Sequence, residues 1–195
     1  MQTMTLAELP ATPWRNGGGL TRPLASGHAM ATTPHPDDFD WRISLADIVT
    51  DGPFSTFPGI DRHALLIGNG AVELSGSSAA VMARPLLPIS FPGELDLHAR
   101  RQPGTVQPRF LNLMVRRWAL HGEIRIITGT CRIDDAMAWA LLPLTGTWQL
   151  PERQVAPGQA VLDHGSDVVA SPRAGGACAA LVLVRSRSLT NHSSE

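Results

Sequence analysis

The chain contains no lysine: its 16 Lys+Arg positions are all arginine. That absence excludes a Schiff-base lysine, a lysine general base and the lysine of a phosphate-binding P-loop. Genome composition alone is a sufficient cause of such a preference, yet its chemical result is a chain rich in planar forks that match carboxylates. Cysteine is nearly absent as well. Cys131 and Cys178 stand far apart with no CxxC spacing, so they read as reduced thiols rather than a redox pair or metal ligands. No stretch approaches the roughly 18 apolar residues of a membrane span. The opening MQTMTLAELPATPW has neither a basic leader nor an apolar run of signal length, so a cytoplasmic location is expected. With a formal net charge of −1 and a pI of about 6.6, the chain has no global attraction to nucleic acid or to an anionic membrane, and neither is expected as a partner.

Long helical periodicity is missing too. The 195 residues include 18 Gly and 16 Pro, which divide the chain into short pieces, while 43% hydrophobic content suffices for a core. An all-β chain of short strands is the expected class. Candidate strands are HALLIG from His63, AVELS from Ala71, AAVMA from Ala79, LDLHA from Leu95, LNLMV from Leu111 and IRIIT from Ile124. A second series contains AMAWALL ending at Leu142, TWQL at Leu150, AVLDH at His164, DVVAS at Ser171 and CAALVLV ending at Val184. This pattern predicts two halves of one compact unit, residues 1–118 and 119–195, joined near 118–122. Residues 26–38, with His28 and His35, and the tail from 186 read as irregular.

The most structured signal is residues 39–62, FDWRISLADIVTDGPFSTFPGIDR. Its first part alternates, placing Phe39, Trp41, Ile43 and Leu45 on one strand face and Asp40, Arg42 and Ser44 on the other. The apolar face should meet a core. Asp51-Gly52-Pro53 then turns the chain, and Phe54, Phe57 and Pro58 give the next loop apolar surface of its own, with Asp61 and Arg62 close behind.

Together with PWRNGGGLTR at 13–22 and FLNLMVRR at 110–117, this stretch resembles the HutD/Ves family. The three strings lie in order through the first two thirds of the chain, and the likeness is loose beyond Trp118. Arg15 stands where that family commonly has lysine, and Leu20 and Pro23 flank the TR pair as further departures. The resemblance implies a cupin-type bicupin of two jelly-roll-like β-barrel halves and an association with histidine utilisation. In that setting urocanate or formylglutamate would be natural ligands. It implies no settled chemical activity.

The residues themselves narrow the chemistry. Many cupins hold a metal with a closely spaced His pair, a Glu and a later His, but this chain has no HxH; His63, Glu73 and His164 only echo such a set. No metal and no cofactor are expected, and His98 and His121 read as structural. G-x-S-x-G and a Cys-His pair are missing, SGSS at 75–78 reads as a turn, and neither GNG at 68–70 nor GGG at 17–19 has the surroundings of a phosphate loop. Asp51, Asp61 or Glu94 could serve acid/base chemistry, though carboxylates beside Gly and Pro usually cap turns. The anion-binding case rests on arginine. Arg42 shares a strand face with Ser44, Arg62 ends the apolar loop, and Asn112 and Arg116 share a face if their segment is extended.

The candidate ligand-binding set is Trp14, Asn16, Arg22, Trp41, Arg42, Ser44, Phe54, Phe57, Arg62, Asn112 and Arg116, expected around one pocket for a small carboxylate with an apolar or planar part. A plainer reading pairs the same arginines with Asp40, Asp51 and Asp61 to brace loops, Asp61 being a neighbour of Arg62. Three functions stay open: a binding protein that regulates catabolic flux, a metal-independent isomerase or hydrolase acting on a small carboxylic acid, and an interaction module whose arginines only brace loops. A homodimer is a reasonable assembly for a fold with exposed strand edges.

Overall fold

The computed structural model describes residues 1–14, 16–29, 39–77 and 80–187. Arg15, residues 30–38 with His35, Ser78, Ala79 and the tail from 188 lie outside that set. As the short alternating segments and frequent Gly and Pro predict, the chain is all-β. Among the described residues the helical content is one 3₁₀ turn, Leu6–Glu8. No helix is long and apolar enough to cross a membrane.

Thr12–Pro13, Gly19–Gly27, Trp41–Ile48, Arg109–Arg116, Ile60–Ile67 and Ile89–Pro92 form, in that spatial order, a 6-stranded antiparallel sheet. Its inner face packs through Ala46, Leu66 and Phe110 onto Val72, Leu74 and Ala99 of a 4-stranded sheet made by Gly52–Pro53, His98–Arg101, Val72–Ser75 and Ala80–Ala83. The later residues repeat the plan. Gln2–Thr5, Gln159–Asp163, Ala138–Thr145, Cys178–Ser186 and Leu120–Ile127 make a 5-stranded sheet, backed by a second 4-stranded sheet around Trp139 and Trp148. The first strand of the chain therefore belongs, by hydrogen bonding, to the sheet of the later residues.

The two larger sheets stand back to back. Trp41, Ile43, Leu45, Leu111, Leu113 and Val115 of one meet Leu120, Ala138, Leu142, Val182 and Val184 of the other in a continuous core. Both faces of the 6-stranded sheet are thereby covered, so its central strands read as nearly continuous apolar runs with a few polar interruptions. Those interruptions mark the site.

Most expected strands are present, with shifted ends: LDLHA becomes His98–Arg101, and Ser26 and Gly27 close a strand instead of opening an irregular segment. Phe39 departs from the expected alternation. The strand begins only at Trp41, after a bend at Asp40 whose carboxylate accepts from the Ala29 N–H at 2.9 Å, so Phe39 packs with Ile60 and Met114 on the other face. Trp41 itself is 2% exposed and sits beside the His164 ring at 5.6 Å between centroids, packed in the core between the two larger sheets. Gly27 opposite is tight against it, because a Cβ there would stand 2.7 Å from the indole nitrogen. Trp41→Ala should therefore cost about 3–5 kcal/mol in urea unfolding. A loss under about 1 kcal/mol would show that the indole is not part of the core between the sheets.

Candidate functional site

Three neighbouring strands of the 6-stranded sheet share a register that lines up their inward side chains. Arg42, Met114 and Arg62 form one rung, Ser44, Asn112 and Ala64 the next, and Ala46, Phe110 and Leu66 the third. Side chains on a strand alternate, so these rungs face the adjacent 4-stranded sheet while Ile43, Leu113 and Leu65 face the central core. The third rung is apolar, and only Ala46 of it reaches the cavity floor. The first two open into a cavity of about 640 Å³.

Its walls come from three loops. The turn after Thr12–Pro13 presents Trp14 and Asn16, the segment after Gly52–Pro53 presents Phe54 and Phe57, and Phe39 enters from the segment just before the Trp41–Ile48 strand. The glycines at 17–19 have a turn explanation. Gly17 takes a φ of +68°, the Gly18 N–H donates to Asn16 Oδ1 at 3.0 Å, and a Cβ on Gly19 would meet the Asp47 carbonyl oxygen at 2.4 Å. Trp14 is held by its indole N–H donating to Thr21 Oγ1 at 2.8 Å, with its ring edge-on to Phe54 at 6.1 Å.

The aromatic loop is clamped from outside the cavity. Phe57 N–H donates to the Gly93 carbonyl and the Gly93 N–H to the Ile60 carbonyl, both at 2.7 Å. The Gly59 N–H reaches Glu94 at 2.7 Å. Arg117 joins Glu94 at 2.8 Å to Asp61 at 2.5 Å. Hydrogen bonds from Arg117 and then from the Gly59 N–H hold the Glu94 carboxyl down to about 2, so the clamp stays ionised across the physiological range.

Inside, the electrostatics are unbalanced. Arg62 is 6% exposed; one nitrogen donates to the Ser55 carbonyl at 3.1 Å, and Nε has no partner. Its guanidinium carbon lies 5.0, 5.2 and 5.6 Å from the ring centroids of Phe54, Phe91 and Phe57. Arg42 touches the Met114 sulfur at 3.4 Å, lies 4.6 and 5.7 Å from the Phe39 and Phe57 centroids, and also has an unpartnered Nε. Neither arginine meets a carboxylate among the described residues, whereas Arg101 and Arg109 each sit on one and Arg117 on two. Burial and then repulsion from Arg42 push Arg62 from the ordinary guanidinium range down to about 10, and burial pulls Arg42 down too. Beside them Asn112, 4% exposed, leaves Oδ1 unpaired. Aromatic faces offset part of this charge but cannot replace an anion.

The structure thus brings Trp14, Asn16, Arg42, Ser44, Phe54, Phe57, Arg62 and Asn112 around one cavity. It separates three residues expected with them. Trp41 lies in the central core. Arg22 follows Thr21, whose side chain lines the cavity, so it points through the opposite face and pairs with Asp47. Arg116 stands at the end of its strand, where its Nε donates to Asp40 Oδ1 at 2.5 Å and another nitrogen to the Phe39 carbonyl at 3.0 Å. Burial would raise the Asp40 carboxyl, but the Ala29 N–H and Arg116 outweigh it and hold it below the usual range. Arg116 braces the Phe39 wall from behind. Asp61, expected beside Arg62, belongs to Arg117 instead. Met114, Thr21, Ser26 and Phe39 line the cavity without having been singled out as ligand-binding. Parity with Asn112 would have found Met114. His63 projects toward Gly122 of the other large sheet and His164 toward Trp41. Among the described residues no group of three or more His, Cys, Asp or Glu could hold a metal ion.

Because the Arg62 charge is disfavoured in the fold, Arg62→Met should raise apo stability by about 1–3 kcal/mol, the size of its pKa fall less the lost Ser55 contact. A comparable loss in urea melts would show that Arg62 braces the loop instead. The sign with pH follows: the penalty is full below about 10 and is relieved as pH rises toward the ordinary guanidinium value. The stability gap between Arg62→Met and the parent should close over that window. For Arg116→Gln the expected change is opposite, a loss of about 3–5 kcal/mol as Asp40 is left unpaired.

Comparisons with known proteins agree with this architecture. The family model described as HutD matches residues 6–185. Protein Ves of Cronobacter sakazakii is 31% identical over 160 residues, covering 82% of this chain and 84% of that protein. Protein Ves of Escherichia fergusonii is 30% identical over 160 residues, covering 82% and 81%. The solved structure of HutD from Pseudomonas fluorescens SBW25 superposes with a TM-score of 0.78 at 23% identity, over 96% of this chain and 99% of that one. A cupin 2 conserved barrel domain protein from Leptotrichia buccalis gives 0.56 at 8% identity, over 95% and 96%. At those identities the two structures speak to fold alone, and the fold is of the all-β cupin class. By the span of the family match and the identity to the Ves proteins, this chain belongs to the HutD family.

Proposed function

We propose that the protein binds a small carboxylate metabolite in the arginine cavity and acts by binding rather than by turnover. The observation that carries this reading is the pair Arg42 and Arg62, both without a carboxylate partner among the described residues and both facing one cavity. Buried cations are ordinarily paired, so a site that keeps two of them open is suited to an incoming anion. Phe39, Phe54, Phe57 and Met114 fit a planar or apolar body, while Asn112 and Ser44 offer hydrogen bonds that fix its orientation.

The enzyme alternative has less support. No Asp, Glu, His or Cys is among the described residues lining the cavity, so none of those residues supplies an ordinary general base or thiol nucleophile beside a bound acid. The histidine-utilisation setting that the family resemblance implies makes urocanate and formylglutamate the first acids to try. In that setting the protein would sense a pathway acid and regulate flux.

Calorimetric titration against a panel of small carboxylates, with product analysis of the same mixtures, tests the reading. One acid should bind one-to-one and be recovered unchanged. Arg42→Gln and Arg62→Gln should each weaken binding by roughly 1.5–3 kcal/mol, about 10- to 150-fold. Conversion of the bound acid would favour the enzyme. Affinity unchanged in both variants would remove the site.

A further inference from the structure

Behind the arginine cavity, where the two larger sheets splay apart at the edge of their shared core, a second cleft of about 780 Å³ opens. Leu6, Ile67, Leu86, Leu142 and Leu144 give it apolar walls. Arg22 and Arg109 line it too, and both hold the same carboxylate. Arg22 Nη1 donates to Asp47 Oδ2, while Arg109 gives Nε to Oδ1 at 2.5 Å and Nη2 to Oδ2 at 3.1 Å. Burial alone would raise the Asp47 carboxyl, but the bonds from Arg109 and Arg22 overcome it and keep the group ionised.

Two guanidinium groups against one carboxylate leave a net positive charge at a largely apolar cleft whose other polar side chains include Asn69 and Thr145. Arg22 uses one of its nitrogens on Asp47 and Arg109 two, so donors remain for another acceptor. The rim carries a second sign of construction. Leu86, 48% exposed, takes a φ of 63°, a left-handed conformation unfavourable to a leucine, in a turn pinned by a bridge between Leu66 and Pro85.

We infer that this cleft is a second binding site, for a small amphipathic anion. Its carboxylate meets Arg22 and Arg109, and an apolar chain of several carbons lies against Leu86, Leu142 and Leu144. The site is independent of the function proposed for the first cavity, because Arg22 and Arg109 lie on the opposite face of the 6-stranded sheet and Leu6, Leu86, Leu142 and Leu144 come from outside that sheet. Thr21 and Arg22, consecutive in sequence, serve the two sides.

Octanoate is the probe, titrated calorimetrically into Arg42→Met/Arg62→Met protein, in which the first cavity has lost both cations. One-to-one binding should persist. Arg22→Gln, added to that background, leaves Asp47 matched by Arg109 alone, so the fold keeps a balanced ion pair while the surplus charge disappears. Binding should weaken at least about tenfold, as it should with Leu144→Asp and with 1-octanol in place of the acid. No octanoate binding to the double variant or to the wild type, or affinity unchanged by both Arg22→Gln and Leu144→Asp, would overturn the inference. So would a dimer that dissociates on Leu86→Asp and never binds octanoate, since a second copy would then be the occupant.

Discussion

Two guanidinium groups held in one rung of a sheet, with a methionine between them and no carboxylate in reach among the described residues, set the terms for the rest of the first sheet pair. A buried cation with no counter-ion costs several kcal/mol, and the fold must over-determine its position to keep it there. The supports are visible. Phe54, Phe57 and Phe91 surround Arg62, Phe39 and Phe57 flank Arg42, and the loop carrying Phe54 and Phe57 is tied down by Gly93, Glu94 and Arg117. Phe39 is fixed from outside by Arg116 and Asp40. Arg116 and Arg117, outside the cavity, thus brace its walls, and the two inside meet no carboxylate among the described residues.

The back-to-back arrangement of the larger sheets is what permits such an arrangement. Trp41, Ile43, Leu45, Leu111 and Leu113 bury one face of the 6-stranded sheet against the 5-stranded sheet, so stability does not depend on filling the other face with apolar side chains. The inner face is then divided. Phe110, Ala46 and Leu66 close its far end against Val72 and Leu74, and the rungs nearer the loops carry Arg42, Ser44, Arg62 and Asn112. A single strand, Trp41–Ile48, serves both purposes by alternation alone.

That alternation explains what the sequence disclosed and what it hid. The all-β class and the shared parity of Arg42 and Ser44 follow from local periodicity, and Trp14, Asn16 and Phe54 come with motif strings that exceed packing needs. Asp61 and Arg62 show the limit. Adjacent strand residues point to opposite faces, so closeness in sequence meant separation in space, and the partner of Asp61 is Arg117. Phe39 lies on the face opposite to the one that alternation predicts, because its strand begins two residues later. Arg22 and Arg116 failed for a related reason: their partners Asp47 and Asp40 lie 25 and 76 residues away, and long-range pairings of that kind leave no local periodic trace.

The central claim is that the fold holds an uncompensated pair of cations whose cost an anion relieves. Its most direct measurement is the melting temperature of the apo protein as acetate replaces chloride at constant ionic strength, in the parent and in Arg42→Met/Arg62→Met. The parent should gain stability with the logarithm of acetate concentration above its dissociation constant, as expected when a ligand binds only the folded state, and the double variant should gain markedly less. Equal responses of the two proteins would contradict the account.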